Sequence, residues 1–529
     1  MTDPIRLAAA LLAILAAAPA LAQGTPKRGG TAVIGVTVGG GTLNTQMTSA
    51  VTPLIIADLW ADGLYKYDRT GAKKPRLATS WDISPDGRTY TFHLREGVKW
   101  SDGRPFSSAD VAYTLTAFSK YNTYTVKILP NIDRVETPDA NTFVVQLKEP
   151  QSSALEAFDK EIFPLMPKHV YEGTDLVTNP ANRAPVGLGP YRFKSWEEGR
   201  GITFERNEHH WDKPKPYLDA VIAAFIPDVQ QQQNALYRGE IDLLRPALPQ
   251  VGRTIEQAKA KGQFEVREIK VNAAERLSLD FNTKREITGK PLVRQALLTA
   301  IDRTRIAKDV YQDLAFPAMN AIPEQFTQLT DPSVDYNKQF AYDPAKAGRM
   351  LDEAGYPLKD GRRFSIELSG YKNADAFYAE PAAQIMAANW RAVGIDVRLN
   401  LMEIQLWTNR TFKERNYDVS IVSLTARTDP LFGVDRSFLC NSSEVPYVNP
   451  TSYCNPELDA VAAKAASVPT DQRRAYYKTY QEIVARDMPH ATLTNARKFF
   501  AISTRFGGLD AEMDLSFNGN PSMAEVWAK

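Results

Sequence analysis

The sequence predicts a chain of mixed α/β class folded into more than one domain. Three observations lead there. Its 529 residues exceed the roughly 150 that one domain usually takes. Hydrophobic residues at 43% and charged residues at 24% are ordinary globular proportions, which exclude disorder and collagen-like repeats. Strand-like runs alternate with helical ones throughout. A helix running to Val393 is followed by Gly394-Ile395-Asp396-Val397, the helix–Gly–strand join of α/β units.

The first element is a leader. Arg6 precedes an unbroken apolar run from Leu7 to Ala18, Pro19 closes it, and Ala20-Leu21-Ala22 supplies the small-x-small cleavage pattern. That run is too short to span a bilayer comfortably, so residues 1–22 read as a signal peptide and Gln23 as the mature start. No later apolar stretch reaches the roughly 20 residues of a membrane span. With no Cys near the cleavage site, the product is expected free in a periplasm and not lipid-anchored.

Thr31 to Val38 reads as a strand ended by the run Gly39-Gly40-Gly41. Thr79–Ile83 and Thr89–Leu94 flank Ser84-Pro85-Asp86-Gly87. There Pro fixes φ and Gly accepts a positive φ, the chemistry of a hairpin turn. Ser107 and Asp110 form a capping-box pattern opening a helix to Phe118. A second hairpin-like unit spans Arg134 to Leu147, turned at Pro138-Asp139-Ala140-Asn141. Helices are expected over Pro291–Ala300, Arg303–Tyr311, Pro344–Ala354 (stopped by Gly355), Ala376–Val393 and Asp471–Met488. No internal repeat, low-complexity tract or long charge run interrupts the pattern.

The only cysteines, Cys440 and Cys454, share one Ser/Asn/Pro-rich stretch. In an oxidising compartment they read as a local disulfide, which would close a loop of about 15 residues and contribute roughly 3 kcal/mol. Two free thiols or two metal ligands are the alternatives, although no His lies beside them.

Several functions are excluded or disfavoured. Sixty-three Lys+Arg balance 62 Asp+Glu to a net +1, which gives no global attraction to nucleic acid. Mean hydropathy is −0.34, excluding a polytopic membrane protein. Gly289-Lys290 is followed by Pro291, so there is no P-loop, and there is no dinucleotide fingerprint, G-x-S-x-G elbow or H-E-x-x-H helix. Of the five histidines, His209-His210 read as a solvated loop pair, since adjacent side chains diverge, and His93 as a structural strand residue. Nothing assembles a nucleophile, a base and an oxyanion hole, and no cofactor is expected. The 8 Trp, 22 Tyr and 23 Phe suit a large, adaptable pocket.

The segment PRLATSWDISPDGRTYTFHLREGVKWSDGRPFSSADVAYTL (Pro75 to Leu115) resembles the signature of extracytoplasmic solute-binding proteins of the oligopeptide/dipeptide/nickel class, which serve ABC importers. The match continues at GLGPYRFKSWEEGRGITFERNEHHW (Gly187 to Trp211), YRGEIDLL (Tyr237 to Leu244) and LDFNTK…PLVRQALLTAIDR (Leu279 to Arg303). It ends with YDPAKAGRMLDEAGYP (Tyr342 to Pro357) and YCNPELD (Tyr453 to Asp459). The resemblance implies a two-lobe periplasmic-binding-protein fold with hinge strands and an extra subdomain inserted in lobe I. Mapped here, lobe I takes 23–61, 186–283 and a return over 496–529. The insert takes 62–185, and lobe II takes 284–495. The implied mechanism is closure of the lobes over a solute and docking on membrane permeases, by a monomer that is not an enzyme.

One stretch departs from the pattern of peptide-binding relatives. In SLTARTDPLFG (Ser423 to Gly433), Asp429-Pro430 fits the family, but the position of the acid that pairs with a peptide's α-amino group is Ala426, with Arg427 beside it. Arginine is a fork-shaped donor for carboxylate or phosphate and cannot pair with an ammonium. Arg427 is therefore expected either to face the cleft and bind an anionic group or to sit in a salt bridge outside the pocket. Thr425 and Asp429 flank it. Asn44, Tyr371 and Trp407 are further candidates, Asn44 at the mouth of the first strand and the two aromatics as walls from lobe II. The reading is a substrate-binding component that captures peptides or peptide-like solutes. Opines, oligosaccharides or nickel chelates are the alternatives within the class, and a secreted hydrolase or a sensory module is the rival outside it.

Overall fold

The computed structural model describes residues 25–37, 41–48, 50–68, 72–122, 124–244, 262–269, 275–372, 378–427, 429–441, 447–468, 472–508 and 522–529. The signal peptide expected over 1–22, the start at Gln23, and Gly39 and Gly40 lie outside them. Among the described residues no helix is long and apolar enough to cross a membrane.

Three larger sheets organise the described residues, beside two of two strands each. Seven strands form the first, in the order Phe264–Ile269, Lys498–Ser503, Leu243–Leu244, Thr31–Val36, Ala220–Phe225, Gly201–Arg206 and Tyr191–Glu197. Thr31–Val36 runs parallel to Ala220–Phe225, with Thr31 opposite Ala220. It carries the alternation Ala32, Ile34, Val36 into the core beneath. The second sheet has six strands, in the order Ala315–Pro317, His490–Ala496, Glu275–Phe281, Val419–Thr425, Phe364–Lys372 and Ile395–Glu403. Helix Ala379–Ala392 feeds into the last of these through Gly394, the expected helix–Gly–strand join. A four-stranded antiparallel sheet, Ala78–Ile83, Thr89–Leu94, Thr142–Leu147 and Ile132–Asp139, falls within the segment 62–185 expected as the insert. Its first hairpin turns at Gly87 with φ +68°, the conformation that only Gly adopts cheaply.

The two large sheets are the two lobes. The chain passes between them twice, from Ile269 to Glu275 and from Ala496 to Lys498. Glu275–Phe281 pairs along its whole length with Val419–Thr425. It therefore already belongs to the second lobe's sheet, earlier than the 283/284 boundary expected. A buried run such as LSLDF suits the middle of either sheet, so its composition does not mark where the strand leaves one lobe.

The local expectations map closely. Ser107 and Asp110 cap each other at the start of helix Ser108–Tyr113, which continues as a wider turn over Thr114–Phe118. Asp343 caps Pro344–Glu353, and Arg473–Asp487 ends with Met488 in the left-handed region. Cys440 and Cys454 are joined as a disulfide. Reducing it is expected to lower stability by about 3 kcal/mol by releasing the loop's chain entropy in the unfolded state. Denaturant titrations with and without reductant check this.

His210 departs from expectation. It is 1% exposed, packed beside Trp211 where the first lobe meets the insert. There Arg76 grips Asp62 through two bonds of 3.0 and 2.8 Å, and the Trp211 indole donates to the same carboxylate at 2.9 Å. Burial, reinforced by the Arg76 charge, holds the imidazole down to about 4. Above pH 6.5 His210 is neutral in both states. As pH falls from about 6.5 towards 4, the unfolded chain takes a proton that the folded one refuses, and stability is lost. The loss is about 3 kcal/mol, from some 2.5 pH units at 1.36 kcal/mol each. His210→Gln is expected to flatten that limb of a stability–pH curve.

Candidate functional site

The candidate site lies where the six-stranded sheet's lobe meets the segment 62–185 expected as the insert. The strand Val419–Thr425 ends there and the chain turns back as a short helix, Pro430–Gly433. The turn is tight: a Cβ on Gly433 would lie 1.7 Å from the Ala426 carbonyl oxygen, so only Gly fits. Asp429 caps the helix by accepting from the Leu431 amide at 2.9 Å. Leu431 and Phe432 then reach into the hydrophobic core of the insert. The Ser152 hydroxyl of the insert donates to the carbonyls of Ala466 and Val468 in lobe II, at 2.9 and 2.7 Å.

Arg427 stands at the centre of this seam. It has a left-handed backbone (φ 60°) and is 3% exposed. Its guanidinium lies 4.1 Å from the centre of the Tyr124 ring of the insert and donates to the Tyr124 hydroxyl. Arg436 approaches the same ring at 5.8 Å. Burial holds Arg427 down to about 10, opposed by Tyr124 and Glu161 and reinforced by Arg436. Burial pushes the Tyr124 phenol up, but the two guanidiniums outweigh it and leave it below its ordinary value. On the insert side, burial and the neighbouring Asp159 and Asp58 raise Glu161 well above the usual carboxylate range, while Asp58 holds Lys160 at 3.0 Å.

The other expected residues fall in three places. Asp429 is 6% exposed and held in a two-pronged ion pair by Arg473, beside the seam. Thr425 is the half-buried last residue of its strand, opposite Glu275. Tyr371 and Trp407 pack together within lobe II, ring centres 4.5 Å apart, the Trp407 indole donating to Ser420 Oγ at 2.9 Å. Asn44 lies in lobe I, 1% exposed, bonding Asn182 at 2.8 Å and accepting from the Gln46 amide. Tyr124 and Arg436 were not singled out from the sequence, because nothing in YNTYTVK or GVDRSF distinguishes a seam residue from a surface one. No group of three or more metal-ligating side chains occurs among the described residues.

Comparisons with known proteins agree with this architecture. The family model for bacterial extracellular solute-binding proteins, family 5 Middle, matches residues 73–444. Protein XP55 of Streptomyces lividans is 27% identical over 466 residues, covering 86% of this chain and 82% of that protein. The dipeptide-binding protein of Escherichia coli is 26% identical over 450 residues, covering 80% and 81%. Among solved structures, the binding protein AgaA of A. tumefaciens R10 in complex with agropinic acid superposes with a TM-score of 0.80. It shares 25% identity, with 94% of this chain and 99% of that one covered.

Proposed function

The chain belongs to the bacterial extracellular solute-binding proteins of family 5, and from that premise we propose that it captures a peptide-like solute carrying an anionic group and delivers it to the permease of an ABC importer. The solute's anionic end meets Arg427. The mechanism is a population shift: a solute that touches both lobes favours the closed arrangement only by as much as it binds that arrangement better. The contact that supports this role is the one from Arg427, two residues past the strand Val419–Thr425 assigned to lobe II, to the ring of Tyr124 in the segment assigned to the insert.

The observation that carries the reading is the pairing of Ala426 with Arg427. Ala426 is fully buried and brings no carboxylate to an ammonium. Arg427 and Arg436 together bring two guanidiniums to one ring, donors suited to carboxylate or phosphate. Peptides are favoured as the scaffold by the dipeptide-binding relative. An opine-like solute is the second reading, supported by AgaA, whose structure is of a complex with agropinic acid. Export through the leader at 1–22, a start at Gln23, residence in the periplasm without a lipid anchor, and a monomeric state complete the proposal.

Arg427→Ala is expected to weaken binding of anionic solutes about 10- to 100-fold, the loss of a charge-assisted bond of about 1.5–3 kcal/mol. A thermal-shift screen of di- to pentapeptides, opines, oligosaccharides and nickel chelates, followed by titration of whatever stabilises, checks this. Unchanged affinity in the variant would sink the role of Arg427. N-terminal sequencing of the exported protein tests the leader, and a start at Met1 would contradict it.

A further inference from the structure

Arg427 is not the only buried guanidinium near the seam. Arg276, on the strand Glu275–Phe281, is fully buried, and Arg436 is 5% exposed. Arg436 repels both of the others electrostatically. The Nη2 of Arg276 donates to the Gly433 carbonyl at 2.7 Å. Its Nε and Nη1, the Arg436 Nε, and the hydroxyls of Ser437 and Ser278 are buried without a hydrogen-bond partner among the described residues. Ser278 follows Arg276 by two positions on its strand and so shares its face.

Two carboxylates lie around them and attract Arg276: Asp280 is held by His490 at 2.7 Å, and Asp435 accepts from the Tyr477 hydroxyl at 3.3 Å. Burial, then repulsion by Arg436, holds Arg276 down to about 9. Buried donors left unmade are costly, and buried like charges more so, unless an anion satisfies them.

We propose that Arg276 and Arg436, with the hydroxyls of Ser437 and Ser278, form an oxyanion pocket inside lobe II, linked to Arg427 through Arg436. Its ligand is a carboxylate or phosphate group, supplied either by the solute as a second anionic substituent or as a free inorganic ion. The first source rests on the reading of Arg427 given above, whereas the second does not. In either case the anion ties Arg276 on the crossing strand to the turn that presents Arg427. The pocket would then select solutes with two acidic groups, or keep the turn set in the presence of a bound ion.

The test is calorimetric titration of the full-length exported protein at constant ionic strength, with two probes. The first is inorganic phosphate. The second is a set of paired tripeptides that differ only as Glu against Gln. Saturable phosphate binding that weakens at least tenfold in Arg436→Gln supports a free ion. Glu peptides that outbind their Gln isosteres at least tenfold, with the preference lost in Arg436→Gln, support a second group on the solute. Ser437→Ala, which keeps every charge, is expected to weaken whichever binding occurs and serves if Arg436→Gln fails to fold. Absence of both a saturable phosphate signal and any preference for Glu overturns the pocket, as does equal binding by wild type and variants. The reading of Arg427 fails separately, when free-acid and amidated peptides bind alike.

Discussion

Replacing Arg473 with methionine is expected to destabilise the protein by about 3–5 kcal/mol, the cost of breaking a buried ion pair from one side. The side chains of Arg473 and Asp429 are 4% and 8% exposed, so water cannot replace the lost partner. Burial opposes the Arg473 charge, but the Asp429 carboxylate more than offsets it and raises its affinity for the proton. Asp429 also caps Pro430–Gly433, and that helix carries Leu431 and Phe432 into the insert. Loss of the pair should therefore loosen the turn that positions Arg427 as well as the lobe. Urea unfolding gives the stability change and solute titration gives the affinity change. Wild-type stability in Arg473→Met would show that the pair is not closed in solution.

Trp407→Ala is expected to cost about 3–5 kcal/mol, the usual range for truncating a large buried aromatic. Trp407 is fully buried. Its ring is packed 4.5 Å from Tyr371 and 5.4 Å from Phe412, centre to centre. Removing the indole also takes the donor away from Ser420 Oγ. Trp407→Phe keeps most of the packing and loses the bond, so about 1–3 kcal/mol is expected for it. Denaturant midpoints of the two variants, ranked Ala below Phe below wild type, check the account. A Trp407→Ala protein as stable as wild type would contradict it.

How legible these features were in the sequence follows from the distance over which each is decided. The first insert hairpin, the Ser107/Asp110 cap and the Gly394 join depend on neighbours a few residues apart, and their residue types announced them. The paired cysteines, 14 positions apart, were readable for the same reason. Arg427 was found as a departure from a family pattern, but its partner Tyr124 lies 303 positions away, where no periodicity points. The two buried partners Arg473 and Asp429 are separated by 44 positions, so a residue aligned with the cleft turned out to be held by a helix beside it. Arg276 carries no pattern of its own in the sequence, a single arginine beside Glu275. Only the crossing of the chain between sheets brings it to Gly433 and Arg436.

The central claim is that the seam arginines select an anionic solute. A competition experiment tests it most directly: the exported protein is mixed with equal amounts of a free-acid di- to pentapeptide library and its C-terminally amidated counterpart, and the bound species are read by native mass spectrometry. Retention of free-acid members at least tenfold over amidated ones, with that preference lost in Arg427→Ala, is the predicted result. Equal retention of the two libraries, or retention of neither, would contradict it.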